Sequence, residues 1–216
     1  MENINEYIDQ TILRPDVTEQ DIRDFLKAVT EYRFCAAVVN PCWVPLLARE
    51  LPDGIYLCSV VDFPLGASST KTKVYAADDL IQEHCHEVDM VMNIGMFKQR
   101  AFKYVTDEIS AVARACQGRI LKVIIETCLL AREEKITAAK LVQDSGAQFV
   151  KTSTGFAAEG ARIDDVELLR ATVGPDFGVK ASGGIRTYEQ AMKFISAGAN
   201  RLGTSSGVQI MIESTT

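Results

Sequence analysis

Two histidines and one tryptophan are all that the 216 residues hold of those types. With so little imidazole, acid–base work in this chain has to fall mainly on lysine and carboxylate side chains. No apolar run approaches the roughly 20 residues of a membrane-spanning helix, so no membrane partner is expected. The opening Met1-Glu2-Asn3-Ile4-Asn5-Glu6 is acidic and has no apolar stretch, which predicts no secretory signal and a cytoplasmic protein. A Walker-type phosphate loop is missing, and so is a G-x-G-x-x-G after the first strand-like segment. A net charge of −6 argues against nucleic acid as the main partner. The six cysteines contain no C-x-x-C pair and several lie in apolar runs, so reduced packing thiols are expected rather than a disulfide or metal framework.

What the chain does have is a repeat. Short apolar, β-branched segments recur at 7–13, 36–40, 57–63, 87–93, 121–127, 149–155, 178–184 and 201–207. Eight such runs in 216 residues give units of about 27 residues. Near-continuous apolar runs suit strands of a parallel sheet covered by helices. Between them, Thr18-Glu-Gln-Asp21 predicts a capping box opening a helix to about Tyr32, and 99–116, 133–145 and 187–197 carry helical spacing. Two helices close alike, at Gly146-Ala147 and Gly198-Ala199, where glycine suits a left-handed residue before the next strand. Alternating βα units predict α/β architecture, and eight predict a single (β/α)8 barrel over 1–216, ahead of a doubly wound sheet.

Reactive groups of such a barrel lie at the C-terminal ends of its strands. Charged residues inside apolar strands are therefore the candidates: Asp9, Asp62, Asp89, Lys122, Glu126, Lys151 and Lys180. Lys151 stands out, following two apolar residues and preceding Thr152-Ser-Thr-Gly155. Burial there would lower its pKa and leave an amine able to attack a carbonyl. Lys180 holds the matching place one unit later, close enough for like-charge repulsion to depress one of the two further. Asp89 suits a carboxylate that orients a lysine and passes a proton, with a structural ion pair as the alternative. Lys122 comes early in its strand and reads as structural, while both readings of Glu126 stay open. Gly183-Gly184 after the seventh strand and Gly203-Thr-Ser-Ser-Gly207 after the eighth fall where this barrel binds phosphate. His84-Cys85-His86-Glu87 resembles a metal cluster but falls on the opposite face and reads as a solvated loop.

The motifs Val60-Val-Asp-Phe-Pro-Leu-Gly66, Glu87-Val-Asp-Met-Val-Met-Asn93, Phe149-Val-Lys-Thr-Ser-Thr-Gly155 and Gly178-Val-Lys-Ala-Ser-Gly-Gly-Ile-Arg-Thr187 resemble the deoxyribose-phosphate aldolase family over nearly the whole chain. The resemblance implies a class I aldolase, a lyase of deoxyribose phosphate breakdown that works through a lysine Schiff base. It needs no metal or organic cofactor, its partners are a sugar phosphate and aldehydes, and a homo-oligomer is compatible with it. It implies Lys151 as the Schiff-base lysine and Asp89 with Lys180 as the proton relay. Phosphate contacts are implied at Gly183, Gly184, Ser205 and Ser206, with Thr154 nearby, and a substrate contact at Asp9. The chain departs from the family at Gln10, where histidine is frequent, at Asp62, where glycine is frequent, at His84-Cys85 in place of Gly-Ala, and in lacking a tyrosine-bearing tail. Another lysine-imine aldolase and a catalytically silent sugar-phosphate-binding barrel are the rival readings.

Overall fold

In the computed structural model, residues 3–215 are described. Residues 1–2 and 216, which the single-domain and signal readings include, lie outside the described residues. Eight parallel strands close into a barrel in chain order: β1 (Ile8–Ile12), β2 (Ala36–Val39), β3 (Tyr56–Val61), β4 (Glu87–Val91), β5 (Ile120–Ile124), β6 (Phe149–Lys151), β7 (Gly178–Ser182) and β8 (Arg201–Thr204). Helices α1 (Glu19–Tyr32), α2 (Val44–Glu50), α3 (Thr70–Gln82), α4 (Ile94–Lys98), α5 (Phe102–Ala115), α6 (Arg132–Asp144), α7 (Ile163–Val173), α8 (Tyr188–Ser196) and α9 (Gly207–Ser214) fill the connections. Every predicted strand is present, though several are shorter than their apolar runs. The run at 149–155 supplies a strand of three residues, and its hydroxylated remainder forms the loop.

Local chemistry explains the ends. Thr18 and Asp21 form the expected reciprocal box: the Thr18 hydroxyl accepts from the Asp21 N–H, and the Asp21 carboxylate accepts from the Thr18 N–H at 2.8 Å. Gly146 and Gly198 take the left-handed conformation at the ends of α6 and α8. Non-glycine residues do the same work elsewhere. Arg33 and His84 sit at φ +49° and +68°, followed by fully buried Phe34 and Cys85. His84-Cys85 thus replaces a Gly-Ala phrase without changing the turn.

Two layers of packing result. The larger core lies between strands and helices and includes Ile8, Val39, Leu57, Met90, Val123, Val150, Val179 and Leu202. A smaller one, Leu13, Ala36, Val38, Cys58 and Val60 with Phe63 against it, is contributed mainly by β2 and β3. Because strand side chains alternate, residues two apart share a face. Glu87 and Asp89 on β4 therefore share one, and the register sets Asp89 beside Lys122, Lys151 beside Lys180, and Lys180 beside Arg201. The charged residues of β4 to β8 gather together, and the small apolar cluster of β2 and β3 adjoins them through Cys58 and Val60.

Candidate active site

The buried charges form one connected network. Asp89 lies at its centre: Oδ2 accepts from both Lys151 Nζ and Lys180 Nζ at 2.7 Å, and Oδ1 accepts from Lys122 Nζ at 2.9 Å. Lys180 Nζ also pairs with Asp9 Oδ2 at 2.5 Å. Arg201 donates through Nε to Asp9 Oδ1 at 2.6 Å and through Nη2 to Glu87 Oε2 at 2.8 Å, and Glu87 in turn meets Lys122 at 2.5 Å. The Cys58 thiol donates to Asp89 Oδ1 at 3.3 Å. Asp9, Glu87, Asp89, Lys122 and Lys180 are wholly buried, whereas Lys151 keeps 3% of its surface exposed.

Burial opposes charge at each group, so the outcome depends on the partners. For Asp89, burial acts against the carboxylate, but Lys122, Lys151 and Lys180 outweigh it and hold its pKa well below the ordinary carboxylate range. Asp9 is likewise lowered, its burial overcome by Arg201, Lys180 and Lys122. Lys122 and Lys180 are raised, because their carboxylates outweigh desolvation. Lys151 is the exception. Burial lowers its pKa, Asp89 offsets this only in part, and the Lys180 ammonium lowers it further. The expected lysine pair is present, with the two amines meeting on one carboxylate oxygen.

A cavity of about 680 Å³ opens over the C-terminal ends of the strands. Thr154, Gly183, Gly184, Ser205 and Ser206 all line it, as do Gln10 and Arg186. Gly183 and Gly184 both have positive φ, +91° and +82°. Gly160 packs against Gly183 so closely that a Cβ there would lie 2.2 Å from the Gly183 carbonyl oxygen. Thr154 has a second commitment: its hydroxyl donates to Glu126 Oε2 at 2.5 Å, and its N–H points to the same carboxylate. Glu126, at φ +51°, therefore ties the loop after β5 to the loop after β6.

Asp9 is fully buried and pairs with Lys180 and Arg201, because its strand position turns it into the barrel. Two expectations need revision. Lys122 is not remote from the site, since its long side chain climbs from β5 to bond Asp89 directly. Asp62 does not present its charge to the mouth. At φ +54° its carboxylate folds back to accept from the Ser68 N–H and hydroxyl at 2.8 and 2.7 Å, and pairs with buried Lys73 at 3.4 Å. Glu87 and Arg201 are absent from the sequence-derived candidates. The i, i+2 relation of Glu87 to Asp89, and the register of Arg201 against Lys180, are the signals that point to them.

The His84–Glu87 stretch diverges: Glu87 enters the barrel, Cys85 is buried with its thiol pushed up to about 12 by burial, and His86 Nδ1 accepts from the Leu57 N–H at 3.0 Å. Gly203-Thr-Ser-Ser-Gly207 also has the spacing of a hydrolase nucleophile turn. Both histidines, however, lie at the opposite end of the barrel, beside β4's N-terminus, and so lend Ser205 no base. Among the described residues, no group of three or more His, Cys, Asp or Glu could hold a metal ion, and no helix is long and apolar enough to cross a membrane.

A closed parallel barrel that holds a buried lysine of lowered pKa and a mouth cavity lined by glycines and serines has the make-up of an aldolase-type site. Comparison with known proteins agrees: the family model described as DeoC/LacD family aldolase matches residues 4–212, and the chain belongs to that family. Among its relatives are the deoxyribose-phosphate aldolases of Clostridium novyi (strain NT), 49% identical over 97% of this chain and 95% of that one, and of Enterococcus faecalis, 47% identical over 96% of each. Solved structures that resemble it include QR15, an aldolase, at a TM-score of 0.96 and 37% identity over 100% of this chain and 97% of the other. The tetrameric deoxyribose phosphate aldolase of Aeropyrum pernix follows at 0.91 and 31% over 99% and 91%.

Proposed function

We propose that this protein is a deoxyribose-phosphate aldolase that cleaves 2-deoxy-D-ribose 5-phosphate reversibly into acetaldehyde and D-glyceraldehyde 3-phosphate. The observation that carries this reading is the sharing of Asp89 Oδ2 by Lys151 and Lys180 at 2.7 Å each, with Lys151 lowered in pKa where Lys122 and Lys180 are raised. The neutral Lys151 amine attacks C1 of the open-chain aldehyde, and loss of water gives a protonated imine. That imine accepts the electron pair of the C2–C3 bond as the C3 hydroxyl gives up its proton, releasing D-glyceraldehyde 3-phosphate. Protonation of the enamine at C2 and hydrolysis then release acetaldehyde and the free amine. Asp89 and Lys180 pass the protons, work typically worth about 10²–10⁴-fold. Backbone N–H groups at Gly183 and Gly184 and the hydroxyls of Ser205 and Ser206 grip the phosphate, holding C1 against the amine.

Borohydride added with substrate should leave a reduced adduct on Lys151 that disappears in Lys151→Ala. Acetaldehyde release from deoxyribose 5-phosphate without any adduct would sink the imine mechanism. A panel of aldehydes and sugar phosphates separates this substrate from those of other lysine-imine aldolases. Six free cysteines fit a reducing, cytoplasmic setting. The tetrameric relative makes a homo-oligomer the state to look for by light scattering.

A further inference from the structure

Gln10 follows Asp9 on β1, so its side chain leaves the strand on the face opposite the ion-pair network. There it meets the turn between β8 and α9. Its Nε2 donates to the Ser205 carbonyl at 3.3 Å, and its Oε1 accepts from the Gly207 N–H at 3.0 Å. The fit leaves no spare room, because a Cβ on Gly207 would lie 2.3 Å from Gln10 Oε1. Ser206, at the N-cap of α9, makes no capping hydrogen bond of its own. Its N–H is held by Thr204 Oγ1 at 2.9 Å, and Thr204 is anchored to the Ile185 carbonyl at 2.6 Å. Gln10 therefore supplies from a distant strand an acceptor for the first N–H of α9, one of the helix-start donors that have no intrahelical partner.

We infer that Gln10 is a positioning residue for substrate phosphate, an inference that rests on the phosphate reading above. By holding the Ser205 carbonyl and the Gly207 N–H at once, its carboxamide fixes the turn in which Ser205 and Ser206, whose hydroxyls have no partner among the described residues, line the cavity. The turn offers one carbonyl and one N–H, and the carboxamide offers one donor and one acceptor in a fixed plane. A carboxylate lacks the donor, and an aliphatic side chain lacks both.

The test compares deoxyribose 5-phosphate with unphosphorylated 2-deoxyribose. In Gln10→Ala, KM for the phosphate ester should rise about tenfold with kcat within about twofold, and the kcat/KM ratio of ester to free sugar should fall by the same factor. Gln10→Glu, which keeps the acceptor but sets a negative charge beside the phosphate, should be worse than Gln10→Ala. Gln10→His, whose ring carries one donor and one acceptor, should recover most of the ratio. Equal losses on both sugars, or an unchanged KM for the ester, would overturn the inference. Inorganic phosphate binding by calorimetry carries the test even if the wild type releases no acetaldehyde. Weaker phosphate binding in Gln10→Ala supports the clamp whatever the reaction proves to be, and an unchanged Kd overturns it.

Discussion

A lysine in water keeps its proton far above neutral pH. Lys151 differs because burial disfavours its ammonium, and the one carboxylate oxygen that offsets this is shared with another ammonium. The ascending limb of kcat/KM against pH should therefore lie below the ordinary lysine value of 10.5. Replacing Lys180 with methionine removes a nearby positive charge and leaves Asp89 Oδ2 to Lys151 alone. Both effects favour the Lys151 ammonium, so the limb should move to higher pH, while the rate near neutrality drops by about 10² or more. A pH–rate profile reads both changes. A limb that stays in place would mean that Lys180 does not tune the amine.

Among the connections, the loops after β6 and β7 meet backbone to backbone, through Gly160 against Gly183 and through the Ala161 N–H donating to the Ser182 and Gly183 carbonyls at 3.0 Å. Gly160→Ala places a methyl 2.2 Å from the Gly183 oxygen, so the loops must part. The cost should be about 1–3 kcal/mol, the range for inserting carbon into tightly packed space. KM for a phosphorylated substrate should rise with it, and thermal melting plus substrate kinetics read the two effects. Strand and helix order was legible because parallel strands buried on both faces write continuous apolar runs, and because Thr18–Asp21, Gly146 and Gly198 mark helix ends in ordinary chemical terms. Gly160 was not legible, since its role is a contact with a residue 23 positions further on. The duties of Gln10 and Glu126 were hidden for the same reason: each reaches a neighbouring loop that no local pattern identifies.

Over the whole molecule, the interior network ties five of the eight strands together through β1, β4, β5, β7 and β8 even when Lys151 is set aside. Asp9 and Asp89 both have depressed pKa values in the folded protein. A carboxyl of that kind stabilises the fold above its unfolded-state pKa, and the contribution is lost as pH falls toward the folded value. Stability should accordingly hold down to the ordinary aspartate value of 3.8 and fall below it, which denaturant melts at stepped pH would follow. Removing one partner should be severe. Arg201→Met takes one partner from each of Asp9 and Glu87, which keep Lys180 and Lys122, and should cost up to about 3–5 kcal/mol, the range for breaking a buried ion pair. The meeting of Lys151, Lys180 and Asp89 could be read from charges embedded in apolar strands. The full network could not, because it exists only once the sheet closes β8 onto β1.

Counted by sign, Asp9, Glu87 and Asp89 offer three sites for an anion, whereas Lys122, Lys151, Lys180 and Arg201 offer four for a cation. Such a lattice has one more cationic than anionic side chain, and the amine with the fewest counter-ions, Lys151, is the one whose pKa burial lowers. On the proposed mechanism, the nucleophile is then selected by parity rather than by a dedicated base. Supplying a fourth anion should switch it off. Cys58→Asp, beside Asp89 and Lys122, should leave Lys151 protonated and the protein folded but unable to form an imine at neutral pH.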